Sequence, residues 1–316
     1  MNTSAPSRKL VVLGGAGFVG GHFISVARAN GWDVRALTRG AISASGPDGV
    51  EWVQGDIQDP SVWEKLLIPD CVVVNLVHAQ HVAGPDAVAA TRYMVQTCAQ
   101  AGVSRLVHCS SISVYGRASV GHVDERTPCR PVDDYGRHKL AVEQALFESD
   151  AGGMQITVLR PTAVFGAGGA ALQSLAESLV QNSSFTNYLR SSLFGYRQMH
   201  LVPVSVVASA LCFLCEVGRD IHGEVFIVSD DAESLNNFRD VEGLLMQALK
   251  VPAYRLPRLG VSRGLLSLML RAKGRGEIDS TCTYSMEKLY ALGFVRDGDF
   301  DSALRAYVAY FSEVLQ

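Results

Sequence analysis

Several things are scarce in this chain of 316 residues, and each absence removes a class of function. There is no basic excess: the formal net charge is −3, so nothing in the charge balance argues for nucleic acid. The basic stretch around Arg271, Lys273 and Arg275 is too short to change that. No long apolar run is present. The most apolar stretch, "LVPVSVVASALCFLCEV", is interrupted by Pro and Ser and is too short for a membrane span. "GVSRGLLSLMLRAKGR" is apolar with basic flanks, and a buried helix of a small C-terminal region is expected there rather than a membrane-surface element. Internal repeats, low-complexity tracts and long charge runs are missing. The opening "MNTSAPSRKL" is polar and leads straight into a strand, without the pattern of a secretory leader, and a cytoplasmic location is expected.

Cysteine is sparse and scattered. The seven, Cys71, Cys98, Cys109, Cys129, Cys212, Cys215 and Cys282, are odd in number and mostly apolar in context, which reads as free thiols in a reducing compartment. Cys212 and Cys215 form a CxxC inside the apolar helical run "ALCFLCEV", the setting of two core cysteines rather than a redox or metal pair. His78 and His81 in "NLVHAQH" have no third ligand placed nearby, so no metal site is expected.

What is present is apolar mass, 48% of residues against 19% charged, and a rhythm. Strand-length apolar runs ("KLVVLG", "DVRALT", "VEWVQGD", "CVVVNLV", "SRLVHCSS", "QITVLRP") alternate with helical patterns up to residue 161. Continuous apolar strands between helices indicate a parallel sheet covered on both faces. The fold expected is α/β: a Rossmann-type doubly wound sheet with a smaller, mainly helical C-terminal substrate-binding part. The division expected is 1–166 for the dinucleotide-binding part, with segments near 198–230 returning to it, and 167–316 mainly for substrate.

The first strand runs into "GGAGFVGGH", which places Gly14, Gly17 and Gly20 before the first helix. Glycines there permit a tight turn and close backbone approach to a pyrophosphate, and the helix N-terminus offers free N–H groups to the anion. The second strand ends in Thr38 and Arg39, not in the Asp or Glu that binds a ribose 2′-hydroxyl. A guanidinium there pairs with a 2′-phosphate, so NADP is expected ahead of NAD. Asp56, after the third strand, is placed to meet the adenine edge.

Tyr135 and Lys139 in "DYGRHK" are four apart on a helix and share a face. A nearby ammonium stabilises phenolate, which suits the tyrosine to general acid or base work on a carbonyl or hydroxyl. "HCSSISVYG" supplies Ser110, Ser111 and Ser113 at a strand end, where a Rossmann sheet presents its site.

The glycine loop, "GDIQD", "SSISVYG", the Tyr135–Lys139 pair, "LRPTAVFGAGG", "GYRQMHLVPVSVVASAL", "GEVFIVSDD" and "YSMEKLYALGF" together resemble an extended short-chain dehydrogenase/reductase of the NAD(P)-dependent epimerase/dehydratase family, the nucleotide-sugar-modifying type, over nearly the whole chain. The resemblance implies that Ser111 holds the substrate oxygen, Tyr135 is the acid/base, and Lys139 binds nicotinamide ribose and tunes the tyrosine. It implies cofactor contacts at Gly14, Gly17, Phe18, Val19, Gly20, Arg39, Asp56, Ile57, Tyr135 and Lys139. Substrate contacts are expected at Ser111, Tyr135, His78 and Arg197, the last against a substrate diphosphate.

The chain also departs from that pattern. Ile112 and Ser113 stand where dehydratases of the family carry Asp and Glu, so the carboxylates that elimination needs are missing. Thr162 and Ala163 stand where sugar enzymes commonly have Asn. The function expected is NADP-dependent reduction of the 4-keto group of a UDP- or dTDP-linked deoxysugar, for a surface polysaccharide. Two alternatives stand beside it: a nucleotide-sugar 4-epimerase with tightly bound NAD, and a dehydrogenase of a steroid- or flavonoid-like alcohol. A homodimer paired through two helices is a further implication of the resemblance.

Overall fold

A computed structural model of the chain describes residues 8–40, 49–77, 84–116, 121–257 and 282–314, with backbone alone at 84, 85 and 312–314. His78, His81 and "GVSRGLLSLMLRAKGR" lie outside the described residues.

Seven parallel strands form the central sheet: β1 (Arg8–Leu13), β2 (Trp32–Thr38), β3 (Val50–Gln54), β4 (Val72–Asn75), β5 (Arg105–Cys109), β7 (Gln155–Pro161) and β10 (Val225–Val228). The connecting helices are α1 (Phe18–Ala29), α2 (Pro60–Leu66), α3 (Gly84–Gln100) and α4 (Asp134–Glu148). The order across the sheet is β10-β7-β5-β4-β1-β2-β3, so the winding reverses between β1 and β4. The crevice outside the C-terminal ends of those strands is where an open α/β sheet takes its ligand.

The apolar alternation explains the two-sided cover. In β1, Leu10 and Val12 face one core with Phe23 and Ile24 of α1 and with Val207 and Leu211 of α7 (Val204–Glu216). Val11 and Leu13 face the other, with Trp63 of α2, Val95 of α3 and Leu146 of α4. Cys212 and Cys215 are buried in the first of these cores, and burial pushes the Cys212 thiol up to about 12, as inert core cysteines require. No described helix is long and apolar enough to cross a membrane.

The returning segment near 198–230 divides. β10 joins the sheet as its edge strand beside β7, in parallel register from Val225↔Val158 to Val228↔Pro161. Its outer edge is occupied by side chains: Ile227 N–H donates to Glu125 Oε1 (2.8 Å) and the Val225 carbonyl accepts from Lys288 Nζ (2.7 Å). β9 (Leu201–Pro203) instead pairs with β8 (Ala163–Phe165) in a separate two-stranded sheet. Beyond it α5 (Gln173–Gln181), α8 (Phe238–Ala248) and α10 (Phe300–Val314) enclose a third core around Phe165, Leu175, Leu245 and Tyr307. Among the described residues the remaining helices and strands are β6 (His122–Val123), which pairs with β11 (Thr283–Tyr284), α6 (Ser184–Phe194) and α9 (Glu287–Leu292).

One carboxylate joins three distant segments. Asp231 Oδ2, just past β10, accepts from His200 Nδ1 before β9 (2.7 Å) and from Tyr284 N–H of β11 (2.9 Å). His200 sits at a φ of 53°, a left-handed conformation that the hydrogen-bonded ring helps to hold. Replacing Asp231 with alanine leaves a buried N–H and the His200 ring without their acceptor. That costs about 1–3 kcal/mol of unfolding free energy, read as a lower urea midpoint; an unchanged midpoint contradicts this role for Asp231.

Candidate active site

The glycine loop lies at the reversal point of the sheet. Gly14 has a φ of 81°, and a side chain there would come within 3.0 Å of the Leu76 backbone at the exit of β4. A Cβ on Gly20 would lie 2.4 Å from the Gly14 carbonyl oxygen, so helix α1 approaches its own loop as closely as backbone allows. Gly17 caps α1 with no side-chain hydrogen bond, and no acidic residue stands in the first turn. The first N–H groups of a twelve-residue helix are thus left for an anion. Phe18 packs on the "GAGG" loop, whose Gly169 has room for no Cβ (2.6 Å from Phe18 Cζ), and Val19 packs on the first core. The cradle fits a dinucleotide pyrophosphate.

Flanking it, Arg39 is exposed beyond the tip of β2. Asp56 is exposed after β3, and its Oδ1 accepts from Gln58 N–H (2.9 Å), which makes it a turn-former as well as a candidate for the adenine. Ile57 is half-buried, and its carbonyl accepts from Trp63 Nε1 (2.9 Å).

The candidate catalytic groups meet where α4 docks on the end of β5. Ser111 begins a 3₁₀ turn, Ile112–Tyr115, and its Oγ accepts from Ser113 N–H (3.2 Å). Asp133 caps α4 by accepting from Gly136 N–H (2.7 Å). A Cβ on Gly136 would lie 2.4 Å from the Ser113 carbonyl oxygen, so only glycine lets the first turn of α4 press against the serine turn. This contact brings Tyr135 to Ser111. Tyr135 keeps 37% of its surface exposed, and the Ser111 hydroxyl is hydrogen-bonded to its phenol. Burial raises the phenol above its ordinary pKa, and the Ser111 hydrogen bond pulls the other way.

Lys139 is buried, with its Nζ donating to the Cys109 carbonyl (3.1 Å) and lying 6.0 Å from the Tyr135 ring centre. Burial lowers its pKa, opposed by the thiol of Cys109 and the carboxylate of Glu143. Next to it, His108 is fully buried and held well below the usual imidazole range, first by burial and then by Lys139 and His138.

Ser111, Tyr135 and Lys139 are therefore assembled in one place. Arg197 is not joined to them: it is exposed, and its backbone is tied to Phe194 and Phe238 in the C-terminal helical part. Sequence reasoning missed Gly136, the Cys109 carbonyl and the pair Glu143–Arg160 beneath the site. Two cues were available: Glu143 continues the Tyr135–Lys139 stripe at the next turn, and Arg160 is a lone charge in an apolar strand. Among the described residues no three His, Cys, Asp or Glu side chains group as metal ligands.

The sequence model of the NAD dependent epimerase/dehydratase family matches residues 10–225. The UDP-glucose 4-epimerase of Azospirillum brasilense is 28% identical over 180 residues, 52% of this chain and 51% of that protein. The dTDP-6-deoxy-L-talose 4-dehydrogenase (NAD(P)(+)) of Kitasatospora kifunensis is 33% identical over 177 residues, 52% of this chain and 55% of that protein. The chain spans about half the length of these relatives. Among solved structures, MoeE5 in complex with UDP-glucuronic acid and NAD shares the fold, with a TM-score of 0.70 at 23% identity over 97% of this chain and 99% of that one.

Two glycines one residue apart test the cradle. Gly20→Ala is expected to weaken binding of NAD or NADP at least about tenfold, because the new methyl meets the loop carbonyls. Gly21→Ala, with nothing within 4 Å, should leave binding intact and stabilise the helix by about 0.5–1 kcal/mol. Dinucleotide titration by fluorescence or calorimetry reads both; equal binding by the two variants contradicts the cradle.

Proposed function

The chain belongs to the NAD dependent epimerase/dehydratase family, and on that footing we propose that it is an NADP-dependent oxidoreductase that reduces the 4-keto group of a nucleotide-linked deoxysugar. The observation that carries the cofactor and the direction is the end of β2: Thr38 and exposed Arg39 stand there, with no carboxylate to repel a 2′-phosphate. A cofactor so chosen is exchanged with a reducing pool rather than retained and recycled. The sugar is supported by the Kitasatospora relative, a dTDP-sugar 4-dehydrogenase by its name, and by Arg197, whose fork suits a diphosphate.

The residues divide the work. The α1 N-terminus with Gly14, Gly17 and Gly20 would hold the pyrophosphate, Arg39 would pair with the 2′-phosphate, and Asp56 and Ile57 would meet the adenine. Bound there, the reduced nicotinamide supplies the hydride equivalent. Ser111 Oγ fixes the carbonyl oxygen, and Tyr135 donates its phenolic proton to that oxygen as negative charge develops. Lys139 supports the phenolate that remains, from an ammonium oriented by the Cys109 carbonyl. Because Tyr135 must start protonated, and burial raises its pKa, reduction should hold steady through neutral pH and fall only as pH rises through the phenol's pKa. The missing carboxylates at Ile112 and Ser113 leave no acid/base pair for removing water.

A second reading is favoured by the Azospirillum relative: a nucleotide-sugar 4-epimerase that keeps NAD bound. A thermal-shift panel of NAD, NADP, UDP-sugars and dTDP-sugars separates the two. The proposal expects stabilisation by NADP over NAD, lost selectively in Arg39→Ala, together with a shift from a UDP- or dTDP-sugar. Protein that purifies with NAD and turns over without added cofactor supports the epimerase. A panel in which no nucleotide sugar shifts the protein points instead to a steroid- or flavonoid-like alcohol.

A further inference from the structure

The catalytic groups come from two pieces of chain. Tyr135 and Lys139 ride on α4, whereas Ser111 opens the turn after β5. Beneath them a buried network links the two pieces. Glu143 lies one helical turn past Lys139 on the same stripe, with its side chain 3% exposed. Arg160, on β7, grips it with both arms of a fork: Nε to Oε1 at 3.1 Å and Nη2 to Oε2 at 2.5 Å. The remaining arm, Nη1, donates to the Tyr115 hydroxyl at 2.8 Å, and the guanidinium lies 4.8 Å from the centre of that ring. Tyr115 ends the 3₁₀ turn that Ser111 begins.

Arg160, Glu143 and Tyr115 are each at most 5% exposed, too deep to meet a substrate. Nor is stability a sufficient account of them. A buried ion pair gains little over an apolar pair of similar volume, because desolvation offsets the attraction. What an apolar pair lacks is direction. A planar guanidinium bonded on three sides fixes the helix, the strand and the turn relative to one another.

We propose that Arg160 is a positioning residue: through Glu143 and Tyr115 it sets the distance between the serine turn and the helix that carries Tyr135 and Lys139. The proposal rests on the reading of Ser111, Tyr135 and Lys139 as the catalytic set. It does not depend on which carbonyl they reduce. The ionisable groups facing the network are Lys139 from α4, Cys129 and Glu125 from the segment before it, and Tyr115 itself. Those facing Tyr135 are Cys109 and Asp133, besides the Ser111 hydroxyl and Lys139.

The test removes the tie without changing the net charge near the site. In the full-length double variant Glu143→Leu with Arg160→Met, one negative and one positive group go together. Tyr135 is titrated by phenolate absorbance, as the difference between each protein and the same protein carrying Tyr135→Phe. Thermal melting and dinucleotide binding report that the variant is folded. The expected result is a folded protein whose Tyr135 titrates about one pH unit higher, a roughly tenfold loss of phenolate at a given pH, because the phenol stays partly buried while the Ser111 hydroxyl no longer sits against it. Arg160→Lys, which keeps the charge and loses the fork, should fall between the two. A folded double variant with an unmoved Tyr135 titration overturns the proposal. If the double variant fails to fold, Tyr115→Phe, which deletes one hydroxyl and leaves the ion pair, decides the matter: an upward shift supports the role and an unmoved titration overturns it. The titration needs no substrate, so wild-type protein that is inactive on every 4-keto nucleotide sugar counts against the proposed substrate and not against Arg160.

Discussion

The docking of α4 on β5, its serine turn and the neighbouring β7 is the constraint from which the rest of the site follows. Three contacts at successive turns of the helix define it: Gly136 against the Ser113 carbonyl, Lys139 on the Cys109 carbonyl, and Glu143 on Arg160. They are of different kinds: a close approach that only glycine allows, a charge-assisted hydrogen bond, and a buried ion pair. Their common effect is to hold a phenol, an ammonium and a hydroxyl together at one strand end. The same stripe of the helix therefore carries both the candidate catalytic pair and its support.

The sheet supplies the other half. Its reversal between β1 and β4 leaves a crevice at the C-terminal edge, and the glycine loop occupies the near side of it. Because the α1 N-terminus is uncapped and free of acidic residues, its field favours an anion at that spot. The serine turn and α4 lie one strand farther along, past β4 at the end of β5. A dinucleotide laid along this edge from the glycine loop is thereby directed toward Tyr135. The core beneath is two-faced, as shown by the strict alternation of Leu10 and Val12 against Val11 and Leu13 in β1.

Much of this was legible in the amino-acid sequence, for definite reasons. The central strands are continuous apolar runs because both faces are buried, so "CVVVNLV" and "QITVLRP" announce a covered parallel sheet. The glycine loop and the four-residue spacing of Tyr135 and Lys139 are local features, readable without the fold. What could not be read are contacts between residues far apart in sequence. Gly136 looks like any residue inside a helix until the Ser113 carbonyl is placed against it. Glu143 and Arg160 are seventeen positions apart, and nothing local says that one charge answers the other. The split of the returning segment, β10 to the main sheet and β9 to a small one, likewise depends on Asp231 and Glu125 meeting partners across the molecule. The sequence reading also emphasised the ammonium as the influence on the phenol, whereas in the folded chain burial acts more strongly on Tyr135 and in the opposite direction.

The central claim is that Tyr135 gives the proton that completes reduction of a carbonyl. The most direct measurement is single-turnover reduction of a 4-keto nucleotide sugar by NADPH-loaded wild-type protein and by Tyr135→Phe, with cofactor affinity determined for both. The account predicts unchanged cofactor binding and a rate lower by about 10²–10⁴-fold in the variant, the usual contribution of a positioned general acid. Equal rates in the two proteins would contradict it.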